Sequence, residues 1–272
     1  MKVVFIGGGN MASAIVGGLV ARGADPRGIR VVDPQDGQRK RLVERFSALR
    51  AYSEATAESI AGVDLVVFAV KPQQMREAAR AIAPHVAPVP AVLTIAAGVR
   101  CADLSRWLGG YPRIVRAMPN TPALVGAGIS VLYAMPDATD AAKLAAPLLQ
   151  ACGEILWCER EQDLDAVTGV SGSGPAYVFF FLEALEQAAI ELGLPMAEAR
   201  RLAYATFDGS MRLARASSEA PATLRANVTS KGGTTAAALD VLDAAGVRAR
   251  FIDAVKAAAA RATALGDELA KD

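Results

Sequence analysis

An unbroken apolar run that ends on a glycine turn and restarts as a helix opens the chain. Lys2-Val-Val-Phe-Ile6 leads into Gly7-Gly-Gly-Asn-Met-Ala12, and a helical pattern follows over residues 14–21. Few folds accommodate that order. An apolar run without alternation suits a parallel strand covered on both faces. Gly7 and Gly9 occupy the first two positions of a G-x-G-x-x-[G/A] fingerprint, and Ala12 the third. Glycine there permits a sharp turn and lets a pyrophosphate approach the backbone. The helix start adds free N–H groups and the positive end of a dipole. The stretch therefore reads as a dinucleotide phosphate site at the entrance of an α/β domain.

The pattern after it continues to alternate. Strands are expected at 29–33, 48–52, 64–70, 91–96, 114–117, 128–132 and 153–157. Helices are expected at 37–46, 73–82, 101–108 and 137–151. Strands alternating with helices predict a doubly wound parallel sheet with right-handed crossovers, a Rossmann-type arrangement. Near Glu159 the alternation stops, and only helices follow: 175–192, 196–215, 220–227, 232–245 and 247–269. The expected division is a dinucleotide-binding domain over 1–160 and a helical domain over 161–272. Helices as apolar as Val178-Phe-Phe-Phe-Leu182 bury more than one face. A second subunit is the expected cover.

Composition removes several classes of function. The 272 residues are 53% hydrophobic and carry a net charge of +1. Disorder does not fit that balance, and a nucleic-acid partner would demand a basic surface. Cys101, Cys152 and Cys158 form no C-x-x-C pair, and the chain has one histidine. Free thiols in a reducing compartment and no metal site are expected. His85, in Ala-Pro-His-Val-Ala-Pro, reads as a surface loop residue. With no apolar run of membrane-spanning length and no leader pattern ahead of the first strand, a cytoplasmic location without membrane attachment is expected.

The ends of the expected strands carry the candidate chemistry, because the carboxyl ends of parallel strands form the ligand crevice. Asp33 ends the second strand. An acid there accepts hydrogen bonds from an adenosine ribose 2′-hydroxyl and repels a 2′-phosphate. Arg39, Lys40 and Arg41 lie within the next helix and read as a solvated face. Ala69-Val-Lys-Pro72 ends the fourth strand, so that Lys71 either faces the crevice or merely starts a surface helix. Ala96-Ala-Gly98 ends the fifth with little bulk, leaving room for a flat nicotinamide. Arg116-Ala-Met-Pro-Asn-Thr-Pro122 ends the sixth, where Asn120 offers both donor and acceptor groups. In the helical part, Ser171-Gly-Ser-Gly-Pro-Ala-Tyr177 serves either close helix packing or function, with Ser173 a candidate cap. Asn227-Val-Thr-Ser-Lys-Gly-Gly-Thr-Thr235 places hydroxyls, two glycines and an amide at a helix start. That is an anion site suited to a carboxylate.

Together these segments resemble pyrroline-5-carboxylate reductase, and the match runs over essentially the whole chain. The two helical motifs are highly specific to that family, whereas the glycine turn is shared with many nucleotide binders. The resemblance implies a C-terminal helical dimerisation domain, paired subunits with interleaved helices, and dimers that assemble into decamers of five pairs. It places the active site between the cofactor domain of one subunit and helices of its partner. It implies reduction of 1-pyrroline-5-carboxylate to L-proline, the final step of proline biosynthesis, with NADPH or NADH. Cofactor contacts would come from Ile6, Gly7, Gly8, Gly9, Asn10, Met11, Asp33, Ala69, Val70, Lys71, Pro72, Ala96, Ala97 and Asn120. Asn227, Ser230, Gly232, Gly233, Thr234 and Thr235 would surround the substrate. Thr235 would be the catalytic residue, hydrogen-bonded to the ring nitrogen.

Two departures stand out. Lys231 replaces a residue that is commonly proline in the family. Asp33 weakens the family's NADPH expectation, so that NADH should serve at least as well as NADPH. A β-hydroxyacid-type dehydrogenase would need a lysine in the long middle helix, and none lies between Lys143 and Lys231. A non-catalytic scaffold would not need Thr235 or the Gly232-Gly233 pair, both of which are present.

Overall fold

The computed structural model describes residues 1–271. Two compact units are present, one formed by residues 1–173 with the chain from Ala257 onward, the other by 174–256.

In the first unit the strands are β1 (Val3–Ile6), β2 (Ile29–Val32), β3 (Arg50–Tyr52), β4 (Leu65–Phe68), β5 (Ala91–Thr94), β6 (Ile114–Met118), β7 (Gly128–Ala134) and β8 (Gly153–Trp157). They form one sheet in the order β3-β2-β1-β4-β5-β6-β7-β8. The helices are α1 (Asn10–Ala21), α2 (Asp36–Arg45), α3 (Ala57–Ile60), α4 (Met75–Val86), α5 (Cys101–Trp107), α6 (Thr139–Gln150) and α7 (Asp163–Val167). A π-turn over Thr168–Gly172 follows α7.

Period-two alternation sorts the sheet's apolar residues into two cores. Val3 and Phe5 of β1 pack with Ile15, Val16 and Leu19 of α1 and Leu148 of α6. Val4 and Ile6 pack on the opposite face with Met75, Ala79 and Ile82 of α4 and Leu104 of α5. β1 therefore reads as continuously apolar because both of its faces are covered. Chain order reverses beside β1, between β2 and β4, and the crevice above this switch point is where such sheets hold ligands.

The expected all-parallel sheet needs one correction: β7 runs antiparallel to β6. Only a short 3-10 turn, Thr121–Val125, lies between them. A parallel return needs a crossover of a dozen or more residues, whereas a short link brings the next strand back alongside in reverse. β8 follows α6 and is parallel to β7. The loop expected at His85 is also corrected, because α4 continues through Pro84 and His85 to Val86.

The second unit contains α8 (Gly174–Glu191), α9 (Met196–Ala216), α10 (Pro221–Asn227), α11 (Thr234–Ala244) and the start of α12 (Val247–Ala270). It has almost no buried interior. Ala199 and Ala203 are its only buried residues, and α8 has none. Phe179 and Phe180 are 61% and 65% exposed. Tyr177 and Phe181 pack on Phe251 with ring centroids 5.6 and 5.7 Å apart. An apolar surface of this extent marks an interaction face. Among the described residues no helix is long and apolar enough to cross a membrane.

Candidate active site

The glycine turn is fixed by backbone pairing from both neighbouring strands. Gly7 N donates to Val32 O at 2.8 Å, and Ala69 N donates to Ile6 O at 2.8 Å. Gly7 has φ +98°, and a Cβ there would stand 2.7 Å from Ala69 O. Glycine is thus required twice, by conformation and by the close approach of the β4 end. Gly9 precedes α1 with extended backbone, and no side chain caps the helix. The first N–H groups of α1 are left for an anion.

Asp33 closes the turn from the β2 side. It is 8% exposed. Its Oδ2 accepts from Gly8 N at 2.8 Å, and its Oδ1 accepts from Gln35 N at 2.8 Å. Arg39 folds back over the same corner, its Nη1 donating to Asp33 O at 2.7 Å and Pro34 O at 2.9 Å while Nη2 pairs with Asp36 at 3.0 Å.

A cleft of about 360 Å³ opens above the switch point. It gathers Ile6, Gly7, Gly9, Asp33, Ala69, Val70 and Lys71 from the expected set. Gly8, Gly9 and Asn10 line a separate cleft beside Arg41 and Arg45 on the α2 side, and Met11 packs against the core. Pro72 lines a third cleft with Arg76 and Trp107. Sequence reading missed Pro34, Gln35, Gln38, Ser53, Glu54, Ala55, Gln74, Ala78 and Ala81 in the first cleft. No motif marks them: they come from loop residues after β2 and β3, the first turn of α2, and the start and one face of α4. Ala55, Val70, Ala78 and Ala81 give this cleft an apolar part of its lining.

Further along the sheet, Ala96 is buried and Ala97 half-buried. The adjoining Gly98 has φ +76°, and a Cβ there would lie 3.1 Å from Leu265 Cγ, so its lack of a side chain also admits α12. Asn120 Oδ1 accepts from Ile129 N at 2.9 Å, which ties the β6–β7 loop to β7. Beneath that loop Arg116 is buried. Its Nη1 lies 3.0 Å from Glu161 Oε1 and its Nη2 3.4 Å from Asp165 Oδ1. Glu161 Oε1 also accepts from Cys101 N at 2.7 Å, at the start of α5, and Asp165 Oδ2 accepts from Thr263 Oγ1 at 3.0 Å. Burial pushes the Cys101 thiol well up, with the Glu161 charge adding to it.

The second unit holds the other candidate turn. Gly232 has φ +73°, and Gly233 N donates to Ser230 O at 3.0 Å. A Cβ on Gly233 would stand 2.5 Å from Ser230 Oγ, so a side chain there would turn that hydroxyl away from its present place. Gly233 precedes α11 without a side-chain cap, and Thr234 and Thr235 are the first two helical residues. Ser230, Gly232, Gly233, Thr234 and Thr235 therefore share one uncapped helix start. Asn227 ends α10, and its Nδ2 donates to Glu219 Oε2 at 3.1 Å. The 171–177 segment is carried by the π-turn and the first turn of α8. A Cβ on Gly172 would run into Met118 Cε, so this glycine serves close packing within the first unit.

Comparison with known proteins adds an independent line. Residues 161–265 match the family described as pyrroline-5-carboxylate reductase dimerisation. Residues 2–98 match a family described as NADP oxidoreductase, coenzyme F420-dependent. A pyrroline-5-carboxylate reductase of Pseudomonas aeruginosa is 42% identical over 269 residues, 98% of each chain. One of Arabidopsis thaliana is 38% identical, over 97% of this chain and 95% of that one. The solved pyrroline-5-carboxylate reductase of Coxiella burnetii superposes with TM-score 0.87 at 37% identity, covering 97% and 98% of the two chains. That of Plasmodium falciparum, solved with NADP bound, gives 0.88 at 28% identity over 98% of each.

Proposed function

We propose how the two turns work from one premise: the chain belongs to the pyrroline-5-carboxylate reductase family. It catalyses NAD(P)H-dependent reduction of 1-pyrroline-5-carboxylate to L-proline, the final step of proline biosynthesis. The reaction converts a cyclic C=N bond to an amine, and NAD(P)H supplies the hydride to the imine carbon. The protein's contribution is orientation and charge placement.

The residues present fit such a cofactor. The uncapped start of α1 and the close approach that Gly7 allows accommodate a pyrophosphate. Gly7, Gly8, Gly9, Asn10 and Met11 supply the turn's backbone, with Ile6 before it. Val70 and Ala69 with Ala78 and Ala81 form the adenine wall, and Lys71 and Pro72 bound the β4 end. Ala96 and Ala97 after β5 and Asn120 after β6 carry the nicotinamide end. We take 1–160 as the dinucleotide-binding domain and 161–272 as the dimerisation and substrate domain, supported by a family match that begins at residue 161.

The observation that carries the substrate half is the uncapped N-terminus of α11 after the Ser230–Gly233 turn. Free backbone N–H groups and the helix dipole receive the substrate carboxylate there. Ser230 and Thr234 add hydroxyl donors, Gly232 and Gly233 let the ring approach, and Asn227 borders it. The Thr235 hydroxyl hydrogen-bonds the ring nitrogen and orients the imine. The chain is an oligomer. The exposed α8 face pairs two copies with interleaved helices, and five pairs forming a decamer is the larger assembly this reading supports. Loss of NADH or NADPH absorbance on adding 1-pyrroline-5-carboxylate tests the reaction. Thr235→Ala should lower kcat/KM by about 10- to 100-fold, the worth of one directed hydrogen bond to a polar centre, while cofactor affinity survives. Unchanged turnover would remove Thr235 from the site.

A further inference from the structure

We propose that Glu54 makes the cofactor cleft select an unphosphorylated adenosine ribose, and that Asp33 is a positioning residue for the glycine turn. The inference rests on reading the cleft above the switch point as the adenosine site. Asp33 is the carboxylate that its position at the β2 end marks as the ribose reader, but its two oxygens already hold Gly8 N and Gln35 N at 2.8 Å each. It is buried, and its bond to Gly8 spans 25 residues of sequence. Its direct work is to lock the phosphate turn against the end of β2. Glu54, by contrast, is exposed at the loop after β3 and lines the same cleft wall as Gln35, Gln38 and Ser53. Among the described residues it has no hydrogen bond or ion pair, so its carboxylate is free to meet a ligand.

The cations nearby do not offset it. Arg39 is tied to Asp33 O, Pro34 O and the Asp36 carboxylate. Arg41 and Arg45 line the other cleft, across the glycine turn. Within the cleft itself, Lys71 is the one cation, on the β4 side, against the carboxylates of Asp33, Glu54 and Glu77. A ribose 2′-hydroxyl donates a hydrogen bond to a free carboxylate. A phosphate at that place carries a charge of about −1.5 to −2 near pH 7 and meets net negative charge instead.

The experiment is calorimetric binding of two probes to the full-length protein: 5′-AMP and its 2′-phosphorylated twin, 2′,5′-ADP. The wild type should bind 5′-AMP tighter by about tenfold or more, the scale of one or two partly screened charge pairs. Glu54→Gln should shrink that ratio by about threefold or more. Asp33→Asn should weaken both probes together, because the turn they share is loosened, and should shrink the ratio by less than Glu54→Gln does. The proposal is overturned if the wild type prefers 2′,5′-ADP, if neither probe binds, or if Asp33→Asn rather than Glu54→Gln erases the ratio. Its failure is separable from failure of the reaction assignment. Absence of 1-pyrroline-5-carboxylate reduction with either cofactor, alongside the expected probe ratio, would sink the reductase reading and leave the cleft reading intact.

Discussion

Replacing Arg116 with methionine isolates the buried ion cluster under the β6–β7 loop. The side chain is 4% exposed, and it pairs with Glu161 and Asp165, whose side chains are 22% and 15% exposed. Methionine keeps most of the volume and removes the charge. Two carboxylates are then left side by side, with Glu161 still bonded to Cys101 N and Asp165 to Thr263 Oγ1. Breaking a buried pair by removing one partner costs about 3–5 kcal/mol. Both carboxylates retain some access to water, so the lower end applies, at about 3 kcal/mol. Urea unfolding at fixed protein concentration measures it, because an oligomer's stability depends on concentration. Glu161→Gln should cost less alone, and the double variant should show a coupling of about 1–3 kcal/mol. Arg116→Lys should fall between, since an ammonium cannot serve two carboxylates in a fixed fork. A loss below about 1 kcal/mol for Arg116→Met, a loss too small for any uncompensated buried charge, would refute the reasoning. Strict additivity with Glu161→Gln would refute it as well.

Neighbouring glycines of α1 should respond with opposite signs to alanine. At Gly17 the nearest atom to an added Cβ is Phe46 Cζ at 3.6 Å, so Gly17→Ala should stabilise by up to about 1 kcal/mol through helix propensity. At Gly18 the Cβ would stand 2.6 Å from Ala151 O and 2.9 Å from Cys152 Sγ, so Gly18→Ala should destabilise by about 1–3 kcal/mol in urea unfolding. Burial pushes the Cys152 thiol up to about 11 from 9.0. A raised acid favours the folded state below its unfolded value, so this contribution is lost as pH climbs from 9.0 to about 11. Cys152→Ala should flatten the stability profile in that window, and an unchanged slope counts against the assignment. Phe180→Asp places a charge on a side chain that is 65% exposed on α8. The variant should elute with a smaller mass in light scattering, because a charge buried at a subunit contact is left unpaired; an unchanged mass would move the contact elsewhere.

What was legible in the sequence is what depends on neighbours in the chain. β1 and its glycine turn show as an apolar run and a fingerprint because both are local. The start of α11 shows because hydroxyls and glycines cluster within nine residues, 227–235. The missing core of the second unit shows as apolar excess in Val178-Phe-Phe-Phe-Leu182, and the structure leaves Val178, Phe179 and Phe180 exposed. The reversal of β7 was encoded too, in the absence of a helix between β6 and β7, but strand periodicity carries no direction. The stretch Ala-Pro-His-Val-Ala-Pro reads as a loop around His85, and a proline does remove a donor and crowd the preceding turn; Pro84 is nonetheless helical. It sits in the last turn of α4, where little ladder remains to break.

The illegible part shares one property: it joins groups distant in sequence. Arg116 meets Glu161 and Asp165 across 45 and 49 residues, and nothing in a strand pattern announces that two acids beyond the sheet will pair with it. Asp33 is the instructive case, because its position was legible and its engagement was not. An acid at the end of β2 suggests a ribose contact, yet the carboxylate is held by the backbone of the turn it was expected to complement. The fingerprint fixes the shape of the turn, since glycine is needed at Gly7 by φ and by contact. Which nucleotide follows depends on charges the fold brings to the same wall from an unmarked loop. Cofactor choice therefore belongs to the tertiary assembly of the cleft, and a substitution at Glu54 reports on it more directly than one at Asp33.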